Sequence, residues 1–245
     1  MNSSINDPRV TDITDSGSIR LGLFLPQYTK ASDGAVTPHG AGVVGHGLIG
    51  ALADRLNIEM QIIEQPSPPE AIKTLNTGGC DMLILGVEAT REKLVDFTPP
   101  VIQFDFAYLV PANSPLQETE EVDRPGCRIS VPSGHASWMA LKRSIVHAEI
   151  VGTEIPDESF ALVRDGDVDV FALPREQLID YAALLPGSRI LSKSFGYNVG
   201  SFAVAKGREQ LLAFLSDFVA DAKTSGLVKS ILDEAELTSR GFDVA

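Results

Sequence analysis

One arginine, Arg91, follows a short apolar run in the stretch LGVEATREKLVDFTPP, residues 85–100. A guanidinium is always charged and presents a planar fork of donors. It can grip a carboxylate through paired hydrogen bonds. Just past the C-terminal end of a strand, where open α/β sheets bind ligands, it would act as an anion receptor. The competing reading is a solvated charge paired with Glu88, Glu92 or Asp96. A second candidate is SVPSGHASWM, residues 130–139, where an apolar strand runs through Pro132, Ser133, Gly134 and His135 into a helix. Backbone N–H groups at a helix start favour anions. Ser133 and His135 could add side-chain donors. The plainer reading is an N-cap at Ser133 or Ser137. No nucleophile elbow and no partnered acid accompany His135, so catalysis is not indicated.

Two other patterns carry less. HGAGVVGHG contains Gly40, Gly42 and Gly45 in a literal G-x-G-x-x-G, with Glu64 about 20 residues on. A dinucleotide site needs those glycines in the turn directly after the first strand. Here that strand ends near Leu25, and 14 residues including Pro38 intervene. A flexible loop leading into a helix is the expectation, and no cofactor. The histidines at 39, 46, 135 and 147 have no metal-ligand spacing, so no metal is expected. Cys80 and Cys127 read as buried free thiols.

The elements that would hold these residues alternate strand and helix. Strands are expected at 19–25, 58–64 and 81–86. A helix around Leu48, Ala51, Leu52 and Leu56 separates the first two. SPPEAIKTLNTGG predicts a second helix with Ser67 as N-cap, Pro68 at the first position, a capping box to Glu70 and a stop at Gly78. The rhythm restarts at CRISV (127–131). TLNTGGCDMLIL and LVRDGDVDVFAL share one pattern, with Gly78 and Asp81 echoed by Gly166 and Asp169. Either this is the common helix–Gly–strand turn met twice, or two similar α/β lobes stand in tandem. The proline-rich acidic stretch 106–126 suits a crossing between lobes, and 197–207 a return. The C-terminal helices, with Leu211, Leu212, Leu215, Phe218, Val219 and Ala222 on one face, would then rejoin the first lobe. The expected division is a floppy arm over 1–17, lobe 1 over 18–110 plus 200–245, and an inserted lobe 2 over 111–199.

Totals narrow the partners. The chain has 245 residues and a formal net charge of −13, which opposes nucleic acid and anionic lipid. Nothing is long and apolar enough to insert in a membrane. The first eighteen residues lack the apolar core of a signal peptide, which leaves a cytoplasmic location open.

The block GVEATREKLVDFTPP resembles the G-[IV]-…-R-x-x-x-x-D-F-[ST]-x-P signature of the family 3 extracellular solute-binding proteins, the amino-acid-type receptors of bacterial ABC importers. The order of the other pieces is similar over about residues 18–240. The resemblance implies a two-lobed α/β fold of the type II periplasmic binding kind. Each lobe would have a mostly parallel sheet flanked by helices, with a ligand cleft between the lobes. It places the ligand's carboxylate on Arg91, with Gly86, Glu88 and Thr90 in the same block. It puts further donors on Ser133, Gly134, His135 and Ala136, and a pocket wall on Phe24, Gln27 and Tyr28. It also implies a monomeric periplasmic receptor for a small carboxylate-bearing solute, working with an ABC permease and breaking no bonds. The sequence departs from the family in having two fewer residues between Gly-Val and the arginine. It also has Leu173 and Pro174 where an acid commonly holds the ligand's ammonium. Either Glu88 takes that role or the ligand has no amine. Two alternatives share the fold: a cytoplasmic or sensory ligand-binding protein, and a dehydratase-like enzyme using Glu88 or His135 as acid.

Overall fold

The computed structural model describes residues 7–245. The chain forms two compact units. The first runs through Gln103 and resumes at Val199–Thr238 and Asp243–Ala245; the second comprises Phe104–Asn198 and Ser239–Phe242.

The first unit opens with a 3-10 turn, Pro8–Val10, and α1 (Thr11–Ser16). Val10 and Ile13 are buried, Arg9 bonds Asp217 at 2.7 Å, and Arg208 bonds Asp12 at 2.6 Å. The arm expected to be floppy is therefore folded from residue 7 onward; residues 1–6 lie outside the described part. Two apolar side chains among polar neighbours gave too little periodicity to reveal that helix. Next come β1 (Ser18–Phe24), a hairpin of β2 (Tyr28–Lys30) and β3 (Val36–Pro38), and α2 (Ala41–Leu56). They are followed by β4 (Glu59–Gln65), α3 (Pro68–Asn76), β5 (Met82–Gly86) and β6 (Val95–Phe97). β1 lies between β4 and β5, parallel to both.

Of the glycine motif, Gly42 and Gly45 belong to α2 and not to a loop, with Gly40 at the N-cap position. Gly42 and Gly45 are buried inside the helix, where a Cβ on Gly42 would stand 2.2 Å from the Gln27 carbonyl oxygen. On Gly45 it would stand 2.7 Å from Ile84 Cγ2. The glycines let α2 lie against the sheet. Gly42→Ala is expected to destabilise by about 2 kcal/mol, because overpacking against backbone outweighs the gain in helix propensity. A chemical melt would show it. In α3, Ser67 holds the N-cap position but its side chain makes no cap bond. The Ser67 half of the expected capping box is therefore unmade, although the Glu70 N–H it would serve is retained.

β7 (Ile102–Val110) carries the chain into the second unit. There follow β8 (Arg128–Pro132), α4 (Ala136–Ser144), β9 (Glu149–Thr153) and α5 (Pro156–Asp165). After these come β10 (Val170–Pro174), α6 (Arg175–Leu184) and the short β11 (Arg189–Ile190). β8 runs between β9 and β10, parallel to both, and β7 pairs antiparallel with β10. β12 (Gly196–Ala205) returns the chain to the first unit, where it pairs antiparallel with β5 and β6. There α7 (Glu209–Thr224) and α8 (Leu227–Glu234) close the core. Phe214 takes the buried place expected of Leu212 on α7.

The sequence echo is one device used twice. Asp81 accepts from Arg20 N at 2.7 Å and Arg20 Nη2 at 2.7 Å, while Asp81 N donates to Arg20 O at 2.9 Å. In the second unit Asp169 accepts from Arg128 N at 2.8 Å and its N–H donates to Arg128 O at 3.0 Å. Gly78 and Gly166 both take positive φ, +75° and +81°, to turn the helix end toward that strand. Each aspartate pins the start of one parallel strand to the next.

Asp123 anchors another loop. Burial pushes its carboxyl up, but the N–H groups of Ala148, His147 and Val146 more than offset that, holding it below its ordinary value of 3.8. The folded form therefore favours the ionised carboxylate. Its contribution is complete above that ordinary value and is lost as pH falls through the lower folded one. Asp123→Asn should flatten the dependence of stability on pH below about 4, measured by denaturant melts between pH 6 and 3.

Candidate functional site

β1 and β5 are parallel neighbours, with Leu21 opposite Met82 and Gly22 opposite Leu83, so their C-terminal ends emerge on one edge of the first unit. That edge gathers Phe24, Gln27, Tyr28, Gly86, Glu88, Thr90 and Arg91. β5 is a buried apolar run from Met82 to Leu85, ended by Gly86. The chain then folds into tight turns. Arg91 N donates to Glu88 O at 2.8 Å and Val95 N to Arg91 O at 3.0 Å, returning the chain to β6.

These turns leave the Arg91 side chain 22% exposed. Nη1 donates to Gly86 O at 2.9 Å, which fixes the guanidinium over the strand end. Nη2 lies 3.4 Å from Glu88 Oε1. Asp96 is not its partner, being bound to Lys206 Nζ at 2.5 Å. The two readings of Arg91 thus meet: it has an acidic neighbour, yet it is docked and half-buried. One Nη1 hydrogen is spent on Gly86, and further donors are left for a ligand. Thr90 is exposed on the same turn.

The residues expected to wall a pocket are all buried. Phe24 is buried with Leu83, Leu85 and Ile72. Gln27 Nε2 donates to Ile84 O at 2.7 Å, and Gln27 O accepts His39 N at 2.7 Å. Tyr28 OH donates to Gln65 O at 3.3 Å. Gln27 Nε2 and Tyr28 OH each have a backbone carbonyl as partner, and Gln27 Oε1 accepts the Phe24 N–H at 3.4 Å.

On the second unit the parallel strands β8, β9 and β10 send their C-terminal ends to a single edge, with Pro132 opposite Thr153. Ser133 is exposed; its N–H donates to Thr153 O at 2.9 Å. Gly134, at φ +74°, makes the turn into α4. His135 occupies the N-cap position, so neither Ser133 nor Ser137 does. Its Nδ1 lies 3.2 Å from Ser137 Oγ, and its side chain makes no cap bond. Ala136 opens the helix. Sequence reasoning missed the neighbouring groove, which Ser133 shares with Thr153, Glu154, Glu158 and Leu162. The signal was present in the parallel strand AEIVG, whose C-terminal end had to lie beside that of β8. Leu173 and Pro174 are both buried in β10.

Among the described residues no group of three or more His, Cys, Asp or Glu side chains is placed to hold a metal ion, and no helix is long and apolar enough to cross a membrane.

Similar folds occur among solved structures. A binding component of an ABC transporter from Wolinella succinogenes, complexed with lysine, superposes with a TM-score of 0.69 at 21% identity, over 89% of this chain and 95% of that one. The solute receptor for L-cysteine of Neisseria gonorrhoeae gives 0.67 at 19% identity, over 94% of each. An ancestral amino-acid-binding protein, a precursor of cyclohexadienyl dehydratase, gives 0.67 at 22%, over 92% and 97%. These likenesses establish the two-lobed α/β fold of type II periplasmic binding proteins. The family model of the bacterial extracellular solute-binding proteins, family 3, matches residues 27–235. With that match spanning most of the sequence, the chain belongs to the bacterial extracellular solute-binding proteins of family 3.

Proposed function

We propose that this protein captures a small amino acid, or a closely related carboxylate, outside the cytoplasm and presents it to an ABC permease. The observation that carries the proposal is the docked, half-buried guanidinium of Arg91 at the end of β5. Its fixed orientation suits two-point recognition of a carboxylate. Ser133, with the backbone N–H groups at the start of α4, would supply donors to the same group from the other lobe. In this reading the two units act as the jaws of a monomer. Ligand bound across them shifts the population toward a closed form.

The structures similar in fold were solved with, or named for, lysine, cysteine, arginine and glutamine, which supports an amine-bearing ligand. Glu88, 32% exposed and 3.4 Å from Arg91, would take the ammonium. Thr90, on the same turn, would add a hydroxyl. Binding without turnover is the expected activity.

A thermal-shift panel of amino acids, keto acids and aromatic and dicarboxylic acids tests this. A ligand at a hundred times its dissociation constant stabilises by about 2.7 kcal/mol. The reading fails if no carboxylate shifts the melt, or if a responding compound is consumed by the protein. Fractionation of the native protein separates an exported receptor from a cytoplasmic one.

A further inference from the structure

The C-terminal tail makes an additional passage between the units. α7 and α8 belong to the first unit, as do residues through Thr238; Ser239–Phe242 belong to the second, and Asp243–Ala245 to the first again. The sequence suggested a crossing over 106–126 and a return over 197–207; the chain changes unit at Gln103/Phe104 and at Asn198/Val199, and the tail's return gave no local signal.

The four-residue segment is fastened to the second unit by independent contacts. Arg240 Nη2 donates to Asp180 Oδ1 at 3.0 Å and to Glu176 O at 3.2 Å, both on α6. Gly241 O accepts the N–H of Asp105 in β7 at 2.9 Å. Phe242 is 5% exposed, its ring 5.9 Å from that of Phe104. Gly241 is needed for this approach. Its φ is +91°, and a Cβ there would meet Arg175 Cδ at 2.9 Å and Arg175 Cβ at 3.0 Å. Beyond it, Phe242–Val244 forms β13, which pairs with β7, and Ala245 N donates to Val101 O at 3.3 Å. The tail thus lies along the strand that carries the first crossing, on both sides of the point where the chain changes unit.

We infer that Ser239–Ala245 is a strap, added to the two strand crossings, that restricts the motion of one unit relative to the other. A two-strand hinge allows twisting as well as bending. A further strand fixed to one unit by Arg240 and Phe242, and to the other by the β13 end, removes part of that freedom. The inference needs no ligand and stands apart from the proposed transport role.

The test is a distance distribution between spin labels on the unliganded protein, one per unit. Lys73→Cys and Val146→Cys place them on exposed positions, 72% and 77% exposed. Native Cys80 and Cys127 are buried and escape labelling. The distribution is compared in the full chain, in a chain ending at Thr238, and in Gly241→Val. Gly241→Val dislodges the tail while keeping every other residue, and so covers the case in which the shortened chain fails to fold. A distribution that broadens by roughly twofold or more in a folded variant supports the strap, because restrained states are then released. An unchanged width in folded Gly241→Val, with faster amide exchange at Asp105 proving the tail released, overturns it.

Discussion

Asp81→Ala should lower stability by about 3 kcal/mol, whereas Asp169→Ala, at the equivalent place in the second unit, should cost only about 1 kcal/mol. The two aspartates do the same topological work, but their settings differ. Asp81 is 6% exposed and binds both the backbone N–H and the guanidinium of Arg20; removing it leaves the N–H without its acceptor and the guanidinium held only by the Gly78 carbonyl and water. Asp169 bonds the Arg128 N–H, while the Arg128 guanidinium turns to the Asp167 carbonyl and lies 3.7 Å from Glu149. There water can replace what is lost. For a chain of this length the larger change is worth roughly 6–12 °C in melting temperature and the smaller roughly 2–4 °C. Asp81→Asn should recover part of the difference, since an amide oxygen still accepts the Arg20 N–H. Equal losses at the two sites would show that burial is not what separates them.

Arg91→Ala is expected to weaken ligand binding by roughly 100-fold or more, because two charge-assisted hydrogen bonds to a carboxylate, at about 1.5–3 kcal/mol each, disappear together. The fold should be nearly unaffected. The side chain gives up one bond to Gly86 O and one ion pair with a partly exposed glutamate. Arg91→Lys should behave like the alanine variant, since an ammonium cannot present the parallel fork. Titration calorimetry with the compound that responds in the thermal-shift panel measures both. If affinity survives Arg91→Ala, the guanidinium is a surface charge after all and the carboxylate is held elsewhere.

The sequence made much of this visible because its signals were local. The strand–helix alternation, the Gly78/Asp81 and Gly166/Asp169 turns and the run into Arg91 depend on neighbours within a dozen residues. What stayed hidden depended on distant partners. Gly42 and Gly45 read as a loop because their purpose, contact with Gln27 and Ile84, lies across the sheet. The Gln27 amide bonds the Ile84 carbonyl on β5, which no local pattern announces. The tail reads as the end of a helical region, because one arginine and one phenylalanine do not announce α6 and Phe104 as their targets. Among the candidate site residues, Arg91 and the 133–136 loop were legible from charge and turn chemistry. Thr153 and Glu154 required the pairing of β9 with β8.

Cys80 and Cys127 can serve as a pair of natural clocks. Each is buried in its own unit, Cys80 two residues before β5 and Cys127 directly before β8. Burial pushes the Cys80 thiol to about 12 and the Cys127 thiol to about 11, so neither presents thiolate to an alkylating reagent near neutral pH. Modification must then wait for local opening. Brief alkylation pulses, read residue by residue in a mass spectrometer, would time the opening of the first unit at Cys80 and of the second at Cys127. The unaltered chain would report whether its two halves come apart together or one before the other.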